Sequence, residues 1–233
     1  MQIEIWSDFA CPFCYIGKTR LENALKKVGN KNIELVYKAY QLDPTAPKKS
    51  DVVAIDYYIK RKNFSKEQTL NFFKQIETMA AQTGLEYHME KTIHTNSFDA
   101  HRLAKWAATF DKEAELTTRL MVAYFKDGQD IADQASLLEI VKALGYDVDA
   151  ARAVLDDSQA YKDEVHAQIE EARQIGVNGV PFFVINRKYG ISGAQEEALF
   201  IQALNQVLEE EKTELKGFSG ANGAVCDDES CEF

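Results

Sequence analysis

Polar and apolar residues alternate over two short stretches near the start of the chain. In 2–6 the apolar Ile3 and Ile5 share one face, and in 33–39 Ile33, Leu35, Tyr37 and Ala39 repeat the two-residue period of a half-buried strand. Between them, Pro12 to about Val28 carries Leu21, Ala24, Leu25 and Val28 at helical spacing. Strand, helix and strand in quick succession make a βαβ unit, in which the second strand runs parallel to the first.

From Pro44 to about Asp157 the two-residue period disappears and amphipathic helices replace it. Ser65 with Gln68, and Ser136 with Glu139, have capping-box spacing and predict helix starts. The first helix carries Leu70, Phe73, Ile76 and Ala80 before Gly84; the second carries Leu137, Val141 and Leu144 before Gly145. Phe98 to Phe110 and Glu113 to Lys126 add two more apolar-striped helices. A further helix is expected over 158–175, then short strands at Phe182–Ile185 and Tyr189–Ser192 joined by a tight turn, and a last helix from Gln195 to about Glu210. The order is that of an α/β protein with a thioredoxin fold, a large all-helical insertion after its second strand, and a flexible C-terminal tail. It divides the chain into 1–45 (βαβ), 46–157 (helical insertion), 158–211 (αββα) and 212–233, a Gly-, Ser- and acid-rich tail ending in C-x4-C.

Charge removes some classes of function. The 233 residues carry a formal net charge of -10, and their longest basic cluster is Lys60 to Lys62, so the electrostatic footprint of a nucleic-acid binder is missing. No apolar run approaches the roughly 18 residues of a membrane span, and the first residues lack the basic and apolar regions of a secretory signal. A cytoplasmic protein with no nucleic-acid or membrane partner is expected, as monomer or homodimer.

Four cysteines fall into two pairs, Cys11 with Cys14 and Cys226 with Cys231. In a reducing compartment, paired thiols point to metal or redox chemistry more than to structure. Cys11 stands where the predicted strand gives way to the helix, and the unpaired amides of a helix N-terminus favour a thiolate there. Cys14 lies one turn further in, so Cys11 is expected to attack and leave while Cys14 resolves. Pro12 suits the first turn because its missing N–H costs nothing there. Phe13, unlike a histidine, brings no donor to a neighbouring thiolate. A C-x-x-C is also half of a zinc site, with Cys226 and Cys231 as the remaining sulfurs, but their C-x4-C spacing in an acidic tail argues against it and no metal is expected.

The segment "VNGVPFFVI" is the second informative feature. Pro181 opens a strand-like run where proline is tolerated. A cis bond from Val180 would set that backbone beside Cys11, leaving the Val180 N–H and C=O to pair with an extended substrate. Together "SDFACPFCYIGK", "NSFDAHRLAKWA", "GQDIAD", "GVNGVPFFVINRKYGISGAQ" and "CDDESC" span nearly the whole chain. In them the chain resembles the DsbA-like thioredoxin-fold oxidoreductases, most closely the FrnE-like subgroup. The resemblance implies thiol–disulfide exchange on protein substrates, with Cys11, Cys14 and a cis Pro181 as the catalytic set and Val180, Pro12 and Phe13 at the substrate groove. Phe13 departs from the tryptophan of many members.

Asp8, three residues before Cys11, is a candidate proton relay for Cys14 or a simple cap on the start of the helix. His101, in a family-like motif of the insertion, is a candidate to face the dithiol or a packing residue. His88, His94 and His166 have no ligand-like spacing and are given no role. Cys226 and Cys231 form an auxiliary redox pair or an inert end. No cofactor is expected beyond the redox-active disulfide, with glutathione or another thiol reductant as co-substrate. The activity expected is reduction or isomerisation of protein disulfides. The alternatives are a glutathione-dependent isomerase or transferase of small molecules, and a thiol-independent chaperone-like binding module.

Overall fold

The computed structural model describes residues 1–29, 32–49 and 52–213, together with two short strands at 225–226 and 231–232. Strand β1 (Gln2–Ser7), helix α1 (Pro12–Val28) and strand β2 (Glu34–Ala39) form the βαβ unit, with β1 and β2 parallel and Ile3 opposite Leu35. Strands β3 (Phe182–Ile185) and β4 (Tyr189–Ser192) complete a sheet in the order β2-β1-β3-β4, both added antiparallel.

Alternation along β1 sorts its side chains between the two faces of this sheet. Ile3 and Ile5 point to one face, where Leu21 and Ala24 of α1 and Phe200, Leu204 and Val207 of the last helix, Glu197–Thr213, close a core. On the opposite face Trp6 packs with Ala172, Val177 and Val184. Glu4 shares that face, buried, and pairs with Lys38 and Arg187.

Between β2 and β3 lie α2 (Ala54–Lys62), α3 (Lys66–Gln82), a 3₁₀ turn at Met89–Lys91, α4 (Phe98–Ala108), α5 (Glu113–Phe125), α6 (Gln134–Ala143), α7 (Val148–Asp156) and α8 (Lys162–Gln174). The last helix is α9. Ser65 caps α3 through the full reciprocal box with Gln68. At α6 the cap is one turn earlier than the spacing predicts: Asp133 accepts the Ser136 N–H at 2.8 Å, so Ser136 lies inside the helix. The helix expected from residue 158 starts at Lys162, because Tyr161 takes a left-handed backbone. Buried Arg102 explains that break, since its guanidinium donates to the carbonyls of Val154, Asp157 and Ala160 and holds the chain in the turn that follows α7.

One core runs from the insertion into α1. Cys14, Tyr15 and Ile16 pack with Phe73, Leu103, Leu120 and Phe125 of the insertion, whereas Leu21 and Ala24 of the same helix pack on the sheet. The seam between helical layer and sheet therefore crosses α1 near Gly17. Of the tail, β5 (Val225–Cys226) and β6 (Cys231–Glu232) pair antiparallel with Cys226 opposite Cys231. The rest of the expected flexible tail lies outside the described residues, as do the side chains of both tail cysteines. No helix among the described residues is long and apolar enough to cross a membrane.

Gly17 lets α1 lie against the strand that follows Pro181. A Cβ there would stand 2.9 Å from Pro181 Cγ and 3.2 Å from Phe183 Cζ. Overpacking of this kind costs about 1–3 kcal/mol, so Gly17→Ala is expected to lower the unfolding free energy by that amount and the denaturation midpoint with it. An unchanged midpoint would show that the contact is slack.

Candidate active site

Cys11 is the N-cap of α1, with extended backbone and no side-chain cap, and its own N–H donates to Asp8 O at 3.1 Å. Its Sγ lies 3.5 Å from the Val180 carbonyl, to which the thiol donates. The Cys14 N–H returns to Cys11 O at 3.0 Å, closing the first turn, and the Asp8 N–H donates to Cys14 Sγ at 3.4 Å. Both are free thiols, 3% and 1% exposed. Burial pushes the Cys14 thiol well up, and its Cys11 neighbour pushes it further, against smaller opposing help from Ser7 and the Asp8 amide. At neutral pH Cys14 therefore keeps its proton until something takes it.

The Val180–Pro181 peptide is cis. The Val180 carbonyl faces Cys11, while its N–H has no hydrogen-bond partner among the described residues. Pro12 is buried, and its carbonyl accepts from Tyr87 Oη at 2.8 Å. Phe13 is half-buried against the insertion core. Tyr87 is a residue that sequence reasoning missed. It stacks between Tyr15 and Phe125, and no local pattern distinguishes it from any other core aromatic.

Asp8 is buried, and both its oxygens are engaged: Oδ1 accepts from the Ala10 N–H at 3.1 Å and Oδ2 from the Leu42 N–H at 2.7 Å. Burial works against its charge, but His101 together with the Leu42 amide and Ser97 outweighs that and holds the carboxyl below its usual range. His101 Nε2 stands 3.8 Å from Asp8 Oδ1, outside normal hydrogen-bond distance. The imidazole packs on Phe9 with ring centroids 4.6 Å apart.

Beside Asp8 and Ala10 opens a recess of about 270 Å³, lined on the insertion side by Tyr57, Tyr58, Arg61 and His94. His94, given no role from its spacing, stacks on Tyr57 at 3.6 Å and reaches Asp43 at 3.2 Å. Arg61 has no ion-pair partner among the described residues. Burial, with help from the charge on Cys11, pushes Tyr58 up to about 12, so it is a neutral donor at physiological pH. Among the described residues no group of three His, Cys, Asp or Glu side chains converges as a metal site.

A βαβ unit with a Cys-x-x-Cys on its first helical turn, faced by an X-Pro strand opening, defines a thioredoxin-fold dithiol protein. The chain belongs to the DSBA-like thioredoxin domain family, whose model matches residues 2–205. It is similar to a probable DsbA oxidoreductase from Streptomyces coelicolor, at 35% identity and TM-score 0.87 over 100% of this chain and 99% of that one. The cytosolic disulfide reductase DsbM from Pseudomonas aeruginosa, solved with GSH, shares the fold at 17% identity and TM-score 0.64, covering 90% and 100%. An uncharacterised protein of Bacillus subtilis, YwbO, is 26% identical over 207 residues, 88% of this chain and 96% of its own.

The buried carboxylate gives a pH signature. A carboxyl held below its unfolded value stabilises the fold above the unfolded pKa, near 3.9, and that stability is lost as pH falls through the folded value. Asp8→Asn is expected to cost about 1–3 kcal/mol at pH 7, with the difference closing in acid. Urea melts across that window check it, and a pH-independent difference would contradict the assignment of charge to Asp8.

Proposed function

We propose that the protein reduces or isomerises protein disulfides through Cys11, passing through a mixed disulfide that Cys14 resolves. The Val180 N–H carries this reading: it is unpaired among the described residues while the adjoining carbonyl touches the Cys11 thiol. An extended substrate strand laid along Val180 would satisfy that donor and bring its own sulfur to Cys11, in the manner of strand addition. Pro181, which has no N–H, offers no competing donor. Pro12 and Phe13 would border the groove, with Asp8 and His101 behind the dithiol.

Exchange follows from the unequal thiols. The Cys11 thiolate attacks a substrate disulfide, one substrate sulfur leaves as thiolate, and Cys14, once deprotonated, attacks Cys11 Sγ to form the intramolecular disulfide and release the second. Glutathione or a similar thiol would return the pair to the dithiol form. A cytoplasmic setting, in keeping with the description of DsbM as cytosolic, favours reduction and isomerisation over net oxidation. The terminal "CDDESC" supports a place in the FrnE-like branch and an auxiliary redox role for Cys226 and Cys231.

One observation favours a second reading. Cys11 is only 3% exposed, and a recess of about 270 Å³ opens beside Asp8 and its chain neighbour Ala10, a geometry that suits a small thiol or disulfide as well as a protein. Insulin reduction by wild type, its loss in Cys11→Ser, and a trapped protein mixed disulfide in Cys14→Ser are the expected results. Turnover of glutathione disulfide without insulin reduction would transfer the assignment to small molecules, and aggregation suppression surviving in Cys11→Ser would favour a binding module.

A further inference from the structure

Behind the dithiol, where sheet meets insertion, a chamber of about 10 Å³ is lined by Ser7 and Phe9, by Tyr37, Lys38 and Ala39 of β2, by His101, Ala104 and Lys105 of α4, and by Glu113 and Thr117 of α5. Ser7 Oγ, Tyr37 Oη, His101 Nε2 and Thr117 Oγ1 are buried and have no hydrogen-bond partner among the described residues. All four belong to residues that line this one chamber. Buried polar atoms are normally satisfied by protein or ordered water, and four orphans around a water-sized space are the setting in which an internal water makes its bonds.

Ser7 ties this chamber to the dithiol and Glu113 lies on its more exposed side. At its inner end Ser7 precedes Asp8, whose amide donates to Cys14 Sγ at 3.4 Å, and the Ser7 hydroxyl is among the groups that favour a Cys14 thiolate. At its outer end Glu113, 17% exposed, accepts from Lys105 Nζ, which also donates to the Tyr37 carbonyl at 2.7 Å. We propose that this chamber holds an ordered water and is the proton outlet of Cys14, with Glu113 as the acceptor acting through that water and Ser7. The proposal rests on the dithiol reading above. As Cys14 attacks, its S–H proton passes by way of Ser7 and the water to the Glu113 carboxylate. The Cys14–Cys11 bond forms, the Cys11–substrate bond breaks, and the substrate sulfur departs with the electron pair.

Several titratable groups bear on the acceptor: Lys105 and His101 from α4, Tyr37 from β2, and Glu164 from α8, while Lys38 lines the chamber from β2 and Asp8 stands behind His101. Burial raises the Glu113 carboxyl above its ordinary value, Lys105 opposes this, and Glu164 adds to it. A raised carboxyl is a better proton acceptor than Asp8, which is held low and already accepts two amides. Glu113 protonates as pH falls through its raised value, so the outlet closes on the acid side.

The test uses the full-length reduced protein carrying Cys226→Ser and Cys231→Ser, mixed rapidly with excess dithiobis-nitrobenzoate. The first release of coloured thiolate reports attack by Cys11 and the second reports resolution by Cys14. Glu113→Gln is expected to leave the first release unchanged and slow the second about a hundredfold at neutral pH, the low end of what a positioned base supplies. It should also remove the acid limb of the second-phase pH profile, with Glu113→Asp restoring part of both. Thr117→Val, which keeps shape and removes one chamber hydroxyl, should slow the second phase to a smaller degree and serves if Glu113→Gln does not fold. A second phase whose rate and pH profile match the parent in both variants, or equal slowing of both phases, overturns the outlet. Intact biphasic release without insulin reduction would defeat the protein-substrate reading and leave the outlet standing.

Discussion

The arrangement depends on burying the first turn of α1 between two cores. A helix N-terminus presents amides that need partners, and burial makes leaving them unmet costly. Here the turn is closed from within: the Cys11 amide goes to Asp8 O, the Cys14 amide to Cys11 O, and the Asp8 side chain takes the amides of Ala10 and Leu42. Tyr87 takes the Pro12 carbonyl from the insertion side. With its polar groups satisfied, the turn can be covered by Phe73, Leu103 and Phe125, and that cover makes the two thiols chemically unequal.

Inequality has consequences in two directions. Towards the groove, Cys11 touches the Val180 carbonyl and is almost covered, while the Tyr57, Tyr58 and Arg61 recess opens beside Asp8 and Ala10. Away from it, Cys14 is held protonated by burial and must lose its proton before it can act as a nucleophile. A buried thiol that is to ionise needs a route for one proton, and the unpaired polar atoms of Ser7, Tyr37, His101 and Thr117 lie behind β1.

Much of this was legible in the sequence because it is local. Two-residue alternation at Ile3 and Ile5, helical spacing at Leu21, Ala24 and Leu25, and the C-x-x-C between them are read without tertiary information, and the parallel pairing of β1 with β2 follows from the crossover. The starts of α6 and α8 differ from the pattern for a physical reason: the Asp133 carboxylate, three residues before Ser136, takes the cap, and a guanidinium from α4 breaks what reads as continuous helix. Tyr37 was legible only as a strand position, and Lys105, Glu113 and Thr117 gave no functional signal. They come from β2, α4 and α5, and only the closure of the insertion onto the sheet turns ordinary core and helix-face residues into neighbours of one chamber.

Phe13 ties these strands together. In a C-x-x-C the dipeptide is a ready source of donors to the thiolate, and this chain fills it with a proline whose carbonyl is taken by Tyr87 and an aromatic ring packed on the insertion. The groups that favour ionisation of Cys14 approach instead from the β1 side, the Asp8 amide directly and the Ser7 hydroxyl beside it. Tuning is thereby moved from the exposed rim of the helix to its buried flank, where the insertion helices supply the remaining polar atoms. The helical layer therefore does more than cover the dithiol: because α4 and α5 carry His101, Lys105, Glu113 and Thr117 to the back of β1 and β2, it brings ionisable groups to a sheet face that β1 alone equips only with Ser7.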